Sequence, residues 1–231
     1  IDIDERAAQL SYFSVMMKAR QYDRRFFKKK LQPHVYTIEE SNEIDRSCVE
    51  YFINGDESLK KGISEILHIM KNAKKYGSLI TVDELDFDLL YERVNEVITE
   101  RSLFSDPIEQ YILPLIKVAE ILSRKYSVVI TNPPYMGTKY MPTVLRDYVS
   151  DNYSDYKSDL FSAFLVRCQS MCLPQGHMGL LTPYVWMFLG SYEKLRNYLL
   201  KNVTFSSLVQ LEYNAFEAAC VPVSAFTFRN E

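Results

Sequence analysis

The sequence predicts an α/β fold built on a parallel sheet with an antiparallel edge. Three observations carry that prediction. The apolar run Tyr126–Thr131 (YSVVIT) reads as a strand and stops at a proline-rich turn; strand and helix patterns then alternate toward the end; and the last two strand-like segments lie close enough to pair as a hairpin. Strands alternating with helices favour parallel pairing, because parallel neighbours need a crossover connection, whereas a hairpin adds an antiparallel strand.

The elements follow in order. Ile1-Asp2-Ile3-Asp4 reads as the end of a strand, sliced through, in a chain with no initiator methionine, which suggests an excised fragment. Asp4 is a plausible N-cap for a helix that places Ala8, Tyr12, Val15, Met16 and Ala19 at helical spacing. Residues 20–30 form a basic patch in which Arg24, Arg25, Lys28, Lys29 and Lys30 surround Phe26 and Phe27. It is either a solvated helix end or a phosphate-contacting loop. His34–Glu40 (HVYTIEE) reads as a strand ending in acids. Residues 43–118 are rich in charged helical segments, Ser58–Lys75 and Asp86–Thr99, parted by a Tyr76-Gly77-Ser78 break. Their length exceeds an ordinary crossover, so they are expected to form a helical insertion. A helix over Ile108–Arg124 leads into the strand Tyr126–Thr131. A helix over Asp159–Cys172 ends at Pro174-Gln175-Gly176 before the strand Met178–Thr182, and Ser191–Leu200 is a further helix. The final strands are Ser207–Glu212 and Val221–Arg229. The expected organisation is therefore 1–42, one part of an α/β domain; 43–118, the insertion; and 119–231, the remainder of the domain.

Composition narrows the function. Apolar residues make up 47% of the 231 and charged residues 25%, an ordinary balance that argues against disorder. No run approaches the roughly 18 apolar residues a membrane span needs, and no charged-then-apolar leader appears, so a cytoplasmic protein without a membrane partner is expected. The net charge of −3 does not suit a whole nucleic-acid-binding protein; if the chain works on DNA, much of the grip lies elsewhere. Cys48, Cys168, Cys172 and Cys220 follow neither a zinc nor a disulfide pattern, and His34, His68 and His177 are dispersed, so no metal is expected.

Chemistry concentrates at Asn132-Pro133-Pro134-Tyr135, directly after the apolar strand, at the carboxyl end where open α/β sheets bind ligands. Two prolines stiffen the turn and leave its carbonyls free to accept. An amine whose lone pair is delocalised into a ring or carbonyl is a poor nucleophile until acceptors engage its N–H groups and favour a more tetrahedral nitrogen. The Asn132 side-chain oxygen and the Pro133 carbonyl could be those acceptors. Tyr135 offers a flat face on which an extruded base could stack. On the ring alone, Tyr135→Phe is expected to be nearly silent. A structural turn with a buried tyrosine is the plainer reading of the same four residues.

This segment resembles the amino-methyltransferases, and within them the N6-adenine DNA methyltransferases of single-chain restriction-modification enzymes. With Asp2-Ile3-Asp4, Tyr76-Gly77-Ser78-Leu79-Ile80 and Asn132-Pro133-Pro134-Tyr135-Met136-Gly137, the spacing is most similar to the BREX phage-exclusion methyltransferases. The resemblance covers nearly the whole chain. It implies a Rossmann-like S-adenosylmethionine-dependent methyltransferase fold, here without its first strand, and S-adenosylmethionine as cofactor. It implies duplex DNA with a flipped adenine as substrate, and other restriction or phage-defence subunits as partners. Catalysis would fall to Asn132, Pro133, Pro134 and Tyr135. Asp2 would bind the cofactor ribose, with Asp4 competing for that role or for a helix cap. Glu40 would sit near the cofactor adenine, with Glu39, Ser41 and Asn42 equally near. Asp159, Leu160 and Phe161 match the segment lining the adenine pocket, although Leu160 and Phe161 read equally as core. Phe216, with Tyr135, would pack on the flipped base. The family's glycine-rich cofactor loop would precede Ile1, and its target-recognition domain would follow the last strand, so the chain alone is expected to bind the cofactor weakly. Two other readings stay open: N5-glutamine methylation of a release factor, which poses the same lone-pair problem, and a catalytically silent module that keeps the fold for binding.

Overall fold

Aspartates open five of the helices among the described residues. In the computed structural model, which describes residues 1–213 and 222–231, the contacts divide the chain into two units, Ile1–Ser123 and Arg124–Glu231.

The first unit is helical: α1 (Glu5–Tyr22), α2 (Arg46–Ile53), α3 (Glu57–Ile69), α4 (Ala73–Tyr76), α5 (Phe87–Glu100), the short α6 (Ser105–Pro107), a π-helical turn Ile108–Ile112, and α7 (Leu113–Ser123). Carboxylates of Asp4, Asp45, Asp56 and Asp86 accept first-turn N–H groups of α1, α2, α3 and α5. Each satisfies donors that a helix start leaves orphaned. Leu59, Ile63, Ile66 and Met70 recur along α3 at helical spacing and are buried with Leu90, Val94 and Val97 of α5 and Leu115, Ile116, Ala119 and Leu122 of α7. Ile38 joins the same cluster as Phe52 and Ile63, so residues on both sides of the expected 42/43 boundary share one core. Arg93, buried on α5, donates to the carbonyls of Phe52 at 3.0 Å and Tyr51 at 3.1 Å. It thereby closes the end of α2.

Three expectations change here. His34–Glu40 is not a strand: Asp2 pairs with Thr37 in an isolated parallel bridge, through Asp2 N to the Tyr36 carbonyl at 3.0 Å and Ile38 N to the Asp2 carbonyl at 2.8 Å. One bridged residue gives no ladder. The helix expected over Ser58–Lys75 breaks between α3 and α4, where Asn72 takes a left-handed φ of 57°. The segment over Ile108–Arg124 begins with the π-helical turn and ends at Ser123.

The second unit holds β1 (Tyr126–Thr131), α8 (Thr143–Asn152), α9 (Leu160–Met171), β2 (Cys172–Pro183), α10 (Glu193–Asn202), β3 (Val203–Gln210) and β4 (Val223–Asn230). Helix α8 has no counterpart in the sequence expectations. The sheet order is β1-β2-β4-β3: β1 and β2 are parallel, and β4 runs antiparallel to both of its neighbours. The α/β architecture stands as expected, but the antiparallel strand is not the edge. The chain passes β2, lays down β3, and returns through β4 between them. Met178, Leu180, Phe226 and Phe228 face Phe161, Leu165 and Cys168 of α9 and Leu195 and Leu199 of α10 in one buried cluster. Cys48, Cys168 and Cys172 are buried free thiols, and no cluster of metal-ligating side chains occurs among the described residues. No helix among them is long and apolar enough to cross a membrane.

Pro174-Gln175-Gly176 is not a helix-ending loop ahead of a short strand but an irregularity within β2. Pairing shifts from Tyr126↔Cys172 to Val128↔His177 across it. A Cβ on Gly176 would lie 2.7 Å from Cys172 Sγ and 2.9 Å from the carbonyl oxygens of Leu173 and Ser127. Two of those neighbours are backbone and cannot yield cheaply. Gly176→Ala is expected to cost about 1–3 kcal/mol as an overpacking substitution, read as a lower urea midpoint at unchanged slope. A wild-type midpoint would show that β1 and β2 part easily here.

Candidate active site

The turn after β1 is built from β1, β2 and α9. Parallel pairing brings the carboxyl ends of β1 and β2 side by side, Thr131 opposite Leu180. Asn132-Pro133-Pro134-Tyr135 leaves from that end, with Asn132 and Pro134 exposed and Pro133 buried. The single Tyr135 O–H is shared between two acceptors, Asn132 Oδ1 at 2.8 Å and the Leu181 carbonyl at 3.1 Å. One hydroxyl thus ties the asparagine side chain to the end of the neighbouring strand. Burial pushes the Tyr135 phenol above its ordinary pKa. Asn132 Oδ1 has a second lone pair, and no hydrogen bond among the described residues engages the Pro133 carbonyl.

Below this turn stands a second set of contacts. Asp159 caps α9, its Oδ1 accepting from Phe161 N at 3.3 Å, and the same oxygen accepts from Met136 N at 2.9 Å. Leu160 N donates to the Met136 carbonyl at 3.0 Å, and Gly137 bridges to Asp159. The residue after the Asn-Pro-Pro-Tyr turn is thereby fixed to the start of a helix. Burial raises the Asp159 pKa against the lowering effect of those N–H groups. Leu160 and Phe161 are core side chains. Phe161 meets Tyr135 edge-on at 6.4 Å between ring centroids and stacks on Tyr192 at 5.6 Å. The Tyr192 phenol is pushed up to about 12, by burial first and then by the charge of Asp159. Tyr192 and Leu181 were not singled out in the sequence; a lone tyrosine and a strand carbonyl carry no motif.

Phe216 lies outside the described residues. Its segment leaves after Tyr213 and ends before Pro222, whose carbonyl accepts from Tyr184 N at 3.3 Å just past β2.

The acids expected at a cofactor lie in the first unit. Asp4 is the helix cap, its Oδ1 accepting from Arg6 N at 2.7 Å and Ala7 N at 3.3 Å. Asp2 Oδ1 accepts from Asp4 N at 2.9 Å, and its other oxygen takes no hydrogen bond among the described residues. That free oxygen, on a half-buried carboxylate held by the Thr37 bridge, fits a pair of vicinal hydroxyls. Gly77, at φ 60°, packs beside this turn: a Cβ there would stand 3.4 Å from Ile3 Cγ2. Glu40 accepts from Lys74 N at 3.2 Å and lines a cleft of about 620 Å³ with Glu39, Asn42, Asp45 and Tyr111. Asp2 does not line that cleft, so the two acids are not brought together there.

Comparison with known proteins agrees with the motif. Residues 1–216 match the family described as Eco57I restriction-modification methylase. Adenine-specific methyltransferase PglX of Lacticaseibacillus casei (strain Zhang) is 35% identical over 204 residues, covering 85% of this chain and 17% of the relative. Adenine-specific methyltransferase BrxX of Escherichia coli O9:H4 (strain HS) is 31% identical over 258 residues, covering 100% of this chain and 21% of the relative. The type II restriction enzyme and methyltransferase RM.Eco57I of Escherichia coli is 24% identical over 211 residues, 75% of this chain and 21% of the relative. The chain therefore spans about a fifth of the length of these relatives. Among solved structures, a candidate class I S-adenosylmethionine-dependent methyltransferase from Listeria monocytogenes is similar with a TM-score of 0.38 at 13% identity, covering 84% of this chain and 62% of that one.

Proposed function

The chain belongs to the Eco57I restriction-modification methylase family, and from that premise we propose that it is the catalytic part of an S-adenosylmethionine-dependent enzyme that methylates N6 of adenine in duplex DNA. The observation that carries this reading is the Asn132 side-chain oxygen, fixed by the Tyr135 hydroxyl at the carboxyl end of two parallel strands. One lone pair of Asn132 Oδ1 is held by Tyr135, and the other accepts one N6 hydrogen. The Pro133 carbonyl accepts the second. With both hydrogens engaged, the nitrogen lone pair leaves conjugation with the purine ring and points away from the acceptors. The bound cofactor supplies a sulfonium methyl, an electrophile strong enough that no base need remove a proton before transfer. Such acceptors act on charge that develops only in the transition state, which is why they raise rate rather than affinity.

A base inside a duplex cannot reach this turn, so the adenine is flipped out. Tyr135, 36% exposed and braced edge-on by Phe161, presents a ring for it to stack on. The family resemblance gives Phe216 the role of packing on the same base. Asp2 takes the cofactor ribose hydroxyls with its free oxygen. Gly77 walls the same turn, and Glu40 stands toward the cofactor adenine. Asp159, Leu160 and Phe161 support the pocket from beneath through the Met136 contact and the core. The full-length protein works in the cytoplasm beside other phage-defence or restriction subunits.

The test uses the full-length protein with a tritium-labelled methyl donor, offered duplex DNA and a release factor together. Label recovered as N6-methyladenine is the expected result. Label on release-factor glutamine would overturn the substrate class, and cofactor binding without label on either would replace the enzyme by a silent module.

A further inference from the structure

We infer that residues 20–30, the last residues of α1 and the turn that follows it, are a second, sequence-independent contact to the DNA phosphate backbone, separate from the base-handling turn; this rests on the proposal that DNA is the substrate. The segment holds six basic side chains against one acid, a local charge of +5 in a chain whose net charge is −3. The other 220 residues therefore carry a net charge of −8, against +5 on these eleven. A solvated helix end would carry such residues on a loose, freely moving terminus. Here the backbone is pinned instead.

Asp23 does the pinning. Its N–H closes α1 on the Ala19 carbonyl at 2.9 Å, its carbonyl accepts from Phe26 N at 2.9 Å, and its carboxylate accepts from Arg25 N at 2.8 Å. The same carboxylate pairs with Lys29 at 2.7 Å. The 3-10 turn Phe26–Lys29 follows, with Phe26 and Phe27 edge-on at 6.3 Å and Lys30 in the left-handed region at φ 54°. The Tyr12 hydroxyl holds Gln32 and draws the end of the turn back onto α1. The single acid is therefore spent on the turn and on Lys29. Arg24, Arg25, Lys28 and Lys30 stay exposed, and no acid among the described residues pairs with them. Four like charges are thus carried on seven consecutive residues of a held backbone, an arrangement that a polyanion lying against it relieves. Duplex DNA, with one charge per about 1.7 Å of axis, is the partner whose chemistry matches. Phosphate contacts of this kind set register and affinity without reading bases.

The test compares the full-length protein with a variant carrying Arg24→Gln, Arg25→Gln, Lys28→Gln and Lys30→Gln, measuring duplex binding by fluorescence anisotropy across salt concentrations. Each lost phosphate contact should flatten the plot of log K against log salt by about 0.9, equivalent to about eight-fold in Kd at about 0.1 M salt. A change of at least two contacts is expected, with cofactor affinity and the rate at saturating DNA unchanged. A second variant that keeps the charge, Arg24→Lys, Arg25→Lys, Lys28→Arg and Lys30→Arg, should bind as wild type. A neutral variant whose slope and Kd stay within two-fold of wild type would overturn the contact while leaving DNA methylation standing. A wild-type protein that binds no DNA at all would instead overturn the substrate reading on which the contact rests.

Discussion

Asn132→Ala in the full-length protein is expected to lower methyl transfer by about 10²–10³ while leaving cofactor affinity unchanged. Among the described residues Asn132 Oδ1 is hydrogen-bonded by Tyr135 alone, and the residue is exposed, so its truncation breaks no helix cap and opens no core cavity. The exposed side chain makes the substitution mild for the fold. What is lost is one of two acceptors that pull the amine lone pair out of conjugation, and a single preorganised partner of a transition state is worth on the order of 10²–10³ in rate. Single-turnover methylation at saturating DNA, with calorimetric titration of the cofactor alongside, separates the two effects. Activity within a few-fold of wild type would remove Asn132 from the mechanism, and a matching loss of cofactor affinity would move it to the cofactor pocket.

What the sequence made legible follows from how local each cause is. The helix starts at Asp4, Asp86 and Asp159 were visible because a cap is a side chain bonding two or three residues along its own chain. Strand β1 was visible because the apolar run stops at two prolines. The placement of β4 was not: Val223–Asn230 reads the same at an edge or between two strands, and its long-range pairing with both β2 and β3 decides. His34–Glu40 had strand composition, but a strand exists only with a partner ladder, and Asp2 alone was registered against it. At the site, the Asn-Pro-Pro-Tyr turn was evident and its supports were not. The Leu181 carbonyl and the Met136 amide are backbone groups, without identity in a sequence. The resemblance assigns Asp159 to the cofactor, whereas the hydrogen bonds show it fastening the residue after the Asn-Pro-Pro-Tyr turn to α9 through Met136. Asp4 fills the cap role, its Oδ1 taking two first-turn amides, while Asp2 Oδ1 takes the Asp4 amide; each carboxylate keeps its second oxygen clear of hydrogen bonds among the described residues.

The tyrosine beside the asparagine has two separable contributions, and two substitutions read them apart. Tyr135→Ala removes a ring on which the flipped adenine stacks, worth about 1–3 kcal/mol per base. It also removes the hydroxyl that holds Asn132 Oδ1 at 2.8 Å. A net hydrogen bond contributes about 0.5–1.5 kcal/mol, so together the losses come to about 10- to 2,000-fold in kcat/KM. Tyr135→Phe keeps the ring, and on ring chemistry alone it would be nearly silent. The contact to Asn132 and to the Leu181 carbonyl at 3.1 Å changes that expectation. Losing the hydroxyl should cost about 2- to 12-fold, in kcat rather than KM, because the acceptor is mispositioned while the stacking face survives. A 2-aminopurine at the target position reports the stacking directly. Its fluorescence enhancement on flipping should persist in Tyr135→Phe and change in Tyr135→Ala. Both substitutions leave Phe161 packed against Tyr192, so melting temperatures should stay close to wild type. A Tyr135→Phe enzyme with unchanged kcat would mean that Asn132 is oriented without the hydroxyl. A Tyr135→Ala protein that melts several degrees lower yet still flips its base would assign the ring to the fold rather than to the substrate.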